Sequence, residues 1–254
     1  MRFIVLIVIA SLAAACGQMN EQPVRLLGQA QGTYYSIIYY DKGQRDFQYE
    51  IDSILKDFDL SVSLWVPQSV LSRVNGRDTS VLLDKYFMDN FRLSYEVAEK
   101  TGGSFDMTVG ALVRAWGFGF DEEKKVSEEI VDSIMTFTGY KKVRLEGNRL
   151  KKEDPRTSLD FNAIAQGYSV DLLCDFLDSK GIHRYLIDIG GEVRGKGRKT
   201  GGVKWKVGIE RPAKSASDPR DIQSVVAIED KALATSGNYR KFYEENGVRY
   251  SHTI

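Results

Sequence analysis

Apolar and polar residues alternate from Val24 to Tyr40, with Tyr and Ile filling many of the positions. That alternation predicts strand, and Gly32-Thr33 interrupts it, so two short strands or a hairpin are expected. From Phe47 to Leu64 the period changes. Ile51, Ile54, Leu55, Phe58 and Val62 fall on one face of an amphipathic helix. Ser63 to Asn75, holding Trp65 and Pro67, reads as a loop. Tyr86 to Lys100 reads as a second helix, ended by Thr101-Gly-Gly103. Thr108 is placed to cap a helix running through Trp116. Ser127, followed by Glu128 and Glu129, resembles a capping box. Gly147-Asn148 between two β-prone runs, Tyr140 to Leu145 and Arg149 to Lys152, signals a hairpin.

Asp160 or Asn162 then caps a long helix, Ala163 to Lys180, stopped by Gly181. Tyr185 to Ile189, Glu192 to Gly197 and Val203 to Glu210 read as strands of one sheet. Ile222 to Glu229 and Leu233 to Ser236 continue the pattern, and Arg249 to Ile254 starts another strand. Helices and strands mix without strict alternation, so the class is α+β, with mixed or antiparallel sheets and packed helices.

Composition narrows the function classes. The chain has 254 residues, 43% hydrophobic and 28% charged, which excludes a disordered or fibrous protein. That length allows one large domain or two small ones. Lys plus Arg equals Asp plus Glu at 35 each, so no overall basic charge favours nucleic acid. A local basic pocket for phosphate remains open. With two histidines, His183 and His252, a His-rich zinc site is excluded. A metal here would have oxygen ligands, as Mg²⁺ or Ca²⁺ does.

The first residues read as a targeting segment. Arg2 precedes an apolar run from Phe3 to Leu12, and Ala13-Ala-Ala leads to Cys16. The run is too short for a permanent membrane span. A cysteine after small residues resembles a bacterial lipobox; an ordinary cleaved leader with a chance cysteine is the alternative. The expected organisation is a leader over residues 1–15, a lipidated Cys16 opening a tether over 16–23, and one domain over 24–254. Lipid on Cys16 would anchor the chain to a bacterial membrane on its extracytoplasmic side. Cys174 is then the remaining thiol, in an apolar helix, and reads as structural.

Two motifs fifty residues apart carry the candidate chemistry: Gly103-Ser-Phe-Asp-Met-Thr-Val-Gly-Ala-Leu112 and Ser158-Leu-Asp-Phe-Asn-Ala-Ile-Ala-Gln-Gly-Tyr-Ser-Val-Asp171. Each sets a carboxylate and small residues beside a helix start. Exposed N–H groups and partial positive charge there suit a phosphate. The Ala163 carbonyl, turned outward from a loop, could meet a hard cation. A plainly capped helix is the competing reading. Asp106 is equally suited to capping Thr108. Gly190-Gly191 is either a bulge or turn, or a point of ligand approach. The run Gly190 to Gly197 fails as a phosphate loop because Gly197 stands where Ser or Thr must bind Mg²⁺. Trp65, Tyr34 and Tyr35 could stack on a ring or fill a core. Ser251-His252 lacks an identified acid partner for a serine triad.

Together these segments resemble the ApbE family, the FAD:protein FMN transferases. The matching stretches are Gly32-Thr-Tyr-Tyr-Ser-Ile37, Ser61 to Asn75, Gly103 to Gly119, Leu159 to Asp171, Ile187 to Gly197, Trp205 to Pro212, and Ala234 to Tyr239 with Tyr250 to Ile254. The resemblance implies a T-fold-like architecture and a Mg²⁺-dependent transfer of FMN from FAD to a Thr or Ser hydroxyl of an acceptor protein, with AMP released. FAD hydrolysis, or FAD binding without catalysis, is the alternative. By family position, FAD contacts fall on Gln31, Trp65, Ser104, Phe105, Asp106, Asp160, Gln166 and Ile254. The Ala163 carbonyl is implied as a metal ligand, and His252 as the general base. Gln31 stands where Met is usual, and Gln166 where Lys is usual. Ala111 replaces a frequent Pro. The family continues beyond the His-x-Ile of Ile254 into stretches that supply Asp and Thr ligands for Mg²⁺. The expectation for these 254 residues alone is therefore weak Mg²⁺ binding, slow turnover and an open sheet edge.

Overall fold

The computed structural model describes residues 21–117, 126–211, 221–236, 242–245 and 248–251. The first alternating run forms β1 (Val24–Ala30) and β2 (Thr33–Tyr39), an antiparallel hairpin. Its turn is Gln31-Gly32, one residue earlier than the predicted break. Both turn residues have positive φ, 54° and 70°, as a tight two-residue hairpin turn demands. The amphipathic run becomes α1 (Gln48–Val62), burying Ile51, Leu55, Phe58 and Val62.

The expected loop from Ser63 to Asn75 holds a short helix, α2 (Val70–Asn75). Ser69 caps it by accepting the Ser72 N–H at 3.0 Å. Next come α3 (Lys85–Lys100), capped by Asp84, and α4 (Gly110–Ala115). Thr108 does not cap α4. Its hydroxyl donates to Asp106 and accepts the Gly139 N–H, so it ties two loops together instead. Ser127 caps α5 (Glu128–Met135) as expected. β3 (Val143–Glu146) and β4 (Arg149–Lys152) form the hairpin around Gly147-Asn148.

The long helix is α6 (Asn162–Ser179). β5 (Tyr185–Ile189), β6 (Glu192–Lys196) and β9 (Lys231–Leu233) complete one antiparallel sheet in the order β1-β2-β5-β6-β9. β7 (Trp205–Glu210) does not join that sheet, against expectation. It pairs with β8 (Ile222–Ile228). β10 (Phe242–Glu245) and β11 (Val248–Ser251) form a further pair.

Alternation along the sheet decides the layers. Tyr35, Ile37, Tyr39, Tyr185, Ile187 and Ile189 face α1 and α6, where Leu55, Leu173, Cys174 and Leu177 meet them. Each large apolar side chain so buried contributes about 1.5–3 kcal/mol. The opposite face packs Ile38, Leu186 and Val193 against Trp205 and Ile228. A further apolar cluster joins α1 to α2 and α3 through Phe58, Leu71, Phe87, Met107, Leu159 and Phe161. Cys174 is buried, its thiol pushed up to about 11 by burial, which fits an inert packing role.

Candidate active site

Three chain turns meet at one end of the five-stranded sheet: the Gln31-Gly32 turn, the Gly190-Gly191 turn between β5 and β6, and the start of α6. Gln31 holds a left-handed backbone without being glycine, a strain of roughly 1–2 kcal/mol. Its N–H is held by the Asp59 carboxylate of α1, whose pKa is raised mainly by burial. Its side-chain Oε1 lies 3.3 Å from Ser169 Oγ, whose single hydrogen is shared with the nearer Gln166 carbonyl. Its Nε2 is buried and has no hydrogen-bond partner. A buried donor left unmade costs about 1–3 kcal/mol, so this amide is suited to an acceptor on a ligand.

Gly190 brings the second turn against the same amides. Its φ is +59°, and its N–H donates to the Tyr34 carbonyl at 3.0 Å. A Cβ there would stand 2.7 Å from Gln166 Nε2 and 2.7 Å from Thr33 Cγ2. Glycine is required by both the backbone and the space. Gln166 also accepts the Ser169 hydroxyl on its carbonyl at 2.7 Å. Gln31 and Gln166, far apart in the sequence, thus share Ser169 as a neighbour.

The two motifs lie side by side. Asp160 N–H donates to the Met107 carbonyl at 2.7 Å, and Gly110 N–H to the Ser158 carbonyl at 3.1 Å. A Cβ on Gly110 would stand 2.9 Å from that carbonyl, so only glycine permits the approach. Asn75 grips Leu159 from both sides: its amide donates to the Leu159 carbonyl and its oxygen accepts the Leu159 N–H, each at 2.8 Å. Arg114 donates to Ser158 Oγ at 2.9 Å.

Asp160 is 7% exposed and accepts the Asn162 N–H at 2.7 Å, covering the first turn of α6. Burial pushes its pKa up, against that hydrogen bond and the nearby Arg114. Glu192, after the glycine turn, is also raised by burial and then by the neighbouring Asp188 carboxylate. This end of the sheet is therefore acidic and partly desolvated.

The other expected site residues fall as follows. Asp106 has one oxygen on the Thr108 N–H and hydroxyl and the other on the Tyr140 N–H. Phe105 packs partly buried against the α2–α3 cluster, while Ser104 is exposed. Trp65 stands 59% exposed between α1 and α2. Ala163, expected to open the helix, is the second residue of α6; its carbonyl points along the helix rather than outward and keeps one lone pair. Among the described residues, no three or more His, Cys, Asp or Glu side chains gather as a metal site. Cys16, His252 and Ile254 lie outside the described residues. A separate groove between β1 and α1, lined by Gln48, Asp52 and Lys56, reaches this end through Asp59.

Thr33, Asp59, Asn75, Arg114 and Ser169 take part in this region without having been singled out from the sequence. Asn75 begins a helix-breaking Asn-Gly pair, so its local pattern suggested only a turn. Its grip on Leu159 is a long-range contact that no local pattern carries.

A sheet flanked by α1 and α6 on one face, with glycine turns and a helix start converging at one end, defines an α+β protein with a candidate ligand site at that end. The chain belongs to the ApbE family, whose profile matches residues 31–254. It is 36% identical to an FAD:protein FMN transferase of Vibrio cholerae, over 98% of this chain and 76% of the relative. One from Haemophilus influenzae is 31% identical over 99% and 76%. Among solved structures, the flavin transferase ApbE from Vibrio cholerae superposes with a TM-score of 0.79 at 36% identity, covering 92% of this chain and 76% of that one. The ApbE protein from Thermotoga maritima gives 0.80 at 27% identity over 92% and 76%.

Proposed function

We propose that this chain is an FAD:protein FMN transferase, attaching FMN to a Thr or Ser hydroxyl of an acceptor protein and releasing AMP. The observation that carries this reading is the 36% identity to a transferase of that name along 98% of the chain. The unpartnered Gln31 amide, between the hairpin turn and α6, supports an FAD acceptor group at this end of the sheet. The uncharged Gln166 beside Gly190 offers hydrogen bonds to the flavin nucleotide and no neutralising charge.

In the reaction, the acceptor oxygen bonds to the FMN phosphorus, the bond from that phosphorus to the AMP oxygen breaks, and the hydroxyl proton passes to a base. We assign that proton to His252. Mg²⁺, when bound, would neutralise the pyrophosphate and stabilise the leaving AMP; of the described residues, the Ala163 carbonyl is the ligand we assign to it. Asp160 fixes the first turn of α6 beside the nucleotide by holding the Asn162 N–H. We further propose lipid on Cys16, placing the chain on the extracytoplasmic face of a bacterial membrane, where its acceptor is also found.

The test is incubation with FAD, Mg²⁺ and candidate acceptors, reading AMP by chromatography and flavin on the acceptor by mass. Equal amounts of AMP and covalent FMN are expected. AMP without covalent FMN would replace transfer by hydrolysis, and FAD retention without AMP would reduce the chain to a flavin-binding protein.

A further inference from the structure

The two ends of the five-stranded sheet differ in charge and in what they hold. At the end opposite the candidate site, β1 and β5 begin and β2 and β6 finish. The loops there, residues 40–47, 180–184 and 197–204, are stitched around the incoming chain at residues 21–23. Gln44 donates to the Gln22 carbonyl at 2.8 Å, Thr200 to the Glu21 carbonyl at 3.4 Å, and Arg184 pairs with the Glu21 carboxylate. Arg45 donates to the Lys180 carbonyl at 3.0 Å.

Several acidic groups at this end are engaged within it. Asp41 is paired with Arg45, Asp178 with Lys196 and His183, and Glu229 with Arg198 and Lys204. Asp46 accepts the Gln48 N–H, and Asp230 the Gly197 N–H. Three ammonium groups of these loops have no carboxylate partner among the described residues: Lys42, Lys180 and Lys199. Lys180 and Lys199 lie over the rings of Phe176 and Trp205. They come from three different loops around the point where the chain comes in. The opposite end carries Asp59, Asp160, Asp188 and Glu192.

We propose that this lysine-bearing end is a docking surface for the anionic phospholipid headgroups of the membrane that holds Cys16, so that the candidate active site faces away from the bilayer. The proposal rests on the lipid anchor inferred above. Four residues lie between Cys16 and Glu21, so the two are at most about 17 Å of extended chain apart. That short tether keeps this end within reach of the lipid surface. The seven residues of β1 then carry the chain about 23 Å away before the Gln31 turn. The acceptor hydroxyl must therefore be presented roughly that far above the headgroups. Each lysine near an anionic surface favours the docked orientation about fivefold.

The test is amide hydrogen exchange on the full lipidated chain, in vesicles of phosphatidylcholine with phosphatidylglycerol and in vesicles of phosphatidylcholine alone. The mass of the N-terminal peptide is read alongside. Slower exchange at 40–47, 180–184 and 197–204 is expected only with phosphatidylglycerol, with residues 31–33 and 190–191 unchanged. The triple variant Lys42→Glu, Lys180→Glu, Lys199→Glu should stay on the vesicles and lose that slowing. A lipidated chain with no such slowing, or with slowing at the Gln31 end, overturns the orientation and leaves the anchor standing. An N-terminal peptide without lipid overturns the anchor and the orientation with it.

Discussion

Asn75 is the residue whose removal tests the packing behind the candidate site most sharply. It makes two hydrogen bonds of 2.8 Å to the backbone of Leu159, which is 0% exposed. Asn75→Ala leaves a buried N–H and a buried carbonyl unpaired, one residue before Asp160. At about 1–3 kcal/mol for each orphaned group, the loss is about 2–6 kcal/mol. For a chain of this size that lowers the melting temperature by roughly 4–24 °C. Asn75→Asp separates the two bonds. Its carboxylate still accepts the Leu159 N–H but repels the Leu159 carbonyl. Protonation restores a donor, so that variant should approach wild-type stability as the pH falls and lose it as the pH rises. Calorimetric melts of both variants across pH, with FAD titrations, provide the assay. Wild-type melting of Asn75→Ala would refute the claim that this grip holds the Ser158–Asp160 segment in place.

Other consequences can be measured in the same way. Asp160→Asn should keep the Asn162 contact and remove a buried charge. Because burial raises the Asp160 pKa, the folded state keeps its proton to higher pH than the unfolded chain, and stability falls as pH rises above the ordinary carboxylate range. The variant should therefore melt higher than wild type near neutrality and bind FAD more weakly; a lower melt there contradicts the reading. Lys152 donates to the Val74 and Thr157 carbonyls at 3.0 and 2.8 Å, and burial lowers its pKa to about 8 from 10.5. A neutral amine still satisfies both carbonyls, while the unfolded chain stays protonated. Stability should rise between about pH 8 and pH 10.5, and Lys152→Met should abolish that rise in urea titrations. Gly190→Ala and Gly191→Ala both force a side chain onto positive φ and should melt lower. Only Gly190→Ala drives a Cβ into Gln166 and Thr33, so only it should weaken FAD binding severalfold.

The helices were legible because their apolar faces are long and regular. Ile51, Leu55, Phe58 and Val62 set α1 unambiguously, and Gly181 marked the end of α6. Strand existence was legible for the same reason, but strand partnership was not. β7 alternates like β5 and β6, yet Trp205 packs under Gly195, where an added Cβ would crowd Ile228 and Trp205, and β7 pairs with β8 instead. Short α2 was hidden because six residues carry too little periodicity. Within the site, the glycine turns and Asp160 stood out by composition. Asp59, Asn75 and Ser169 did not, because each acts on a backbone or side chain distant in sequence, where no local period records the contact. Thr108 misled for a related reason: a good capping residue beside a helix start was claimed by Asp106 and Gly139 instead.

The central claim is that FAD sits where the Gln31 turn, the Gly190 turn and the start of α6 converge. Amide hydrogen exchange of the chain with and without FAD tests it most directly. Protection concentrated at residues 31–33, 160–167 and 188–192 is the expected result, reduced in Gln31→Ala. Protection confined to the groove between β1 and α1, or to the α3–β3 surface, would contradict it.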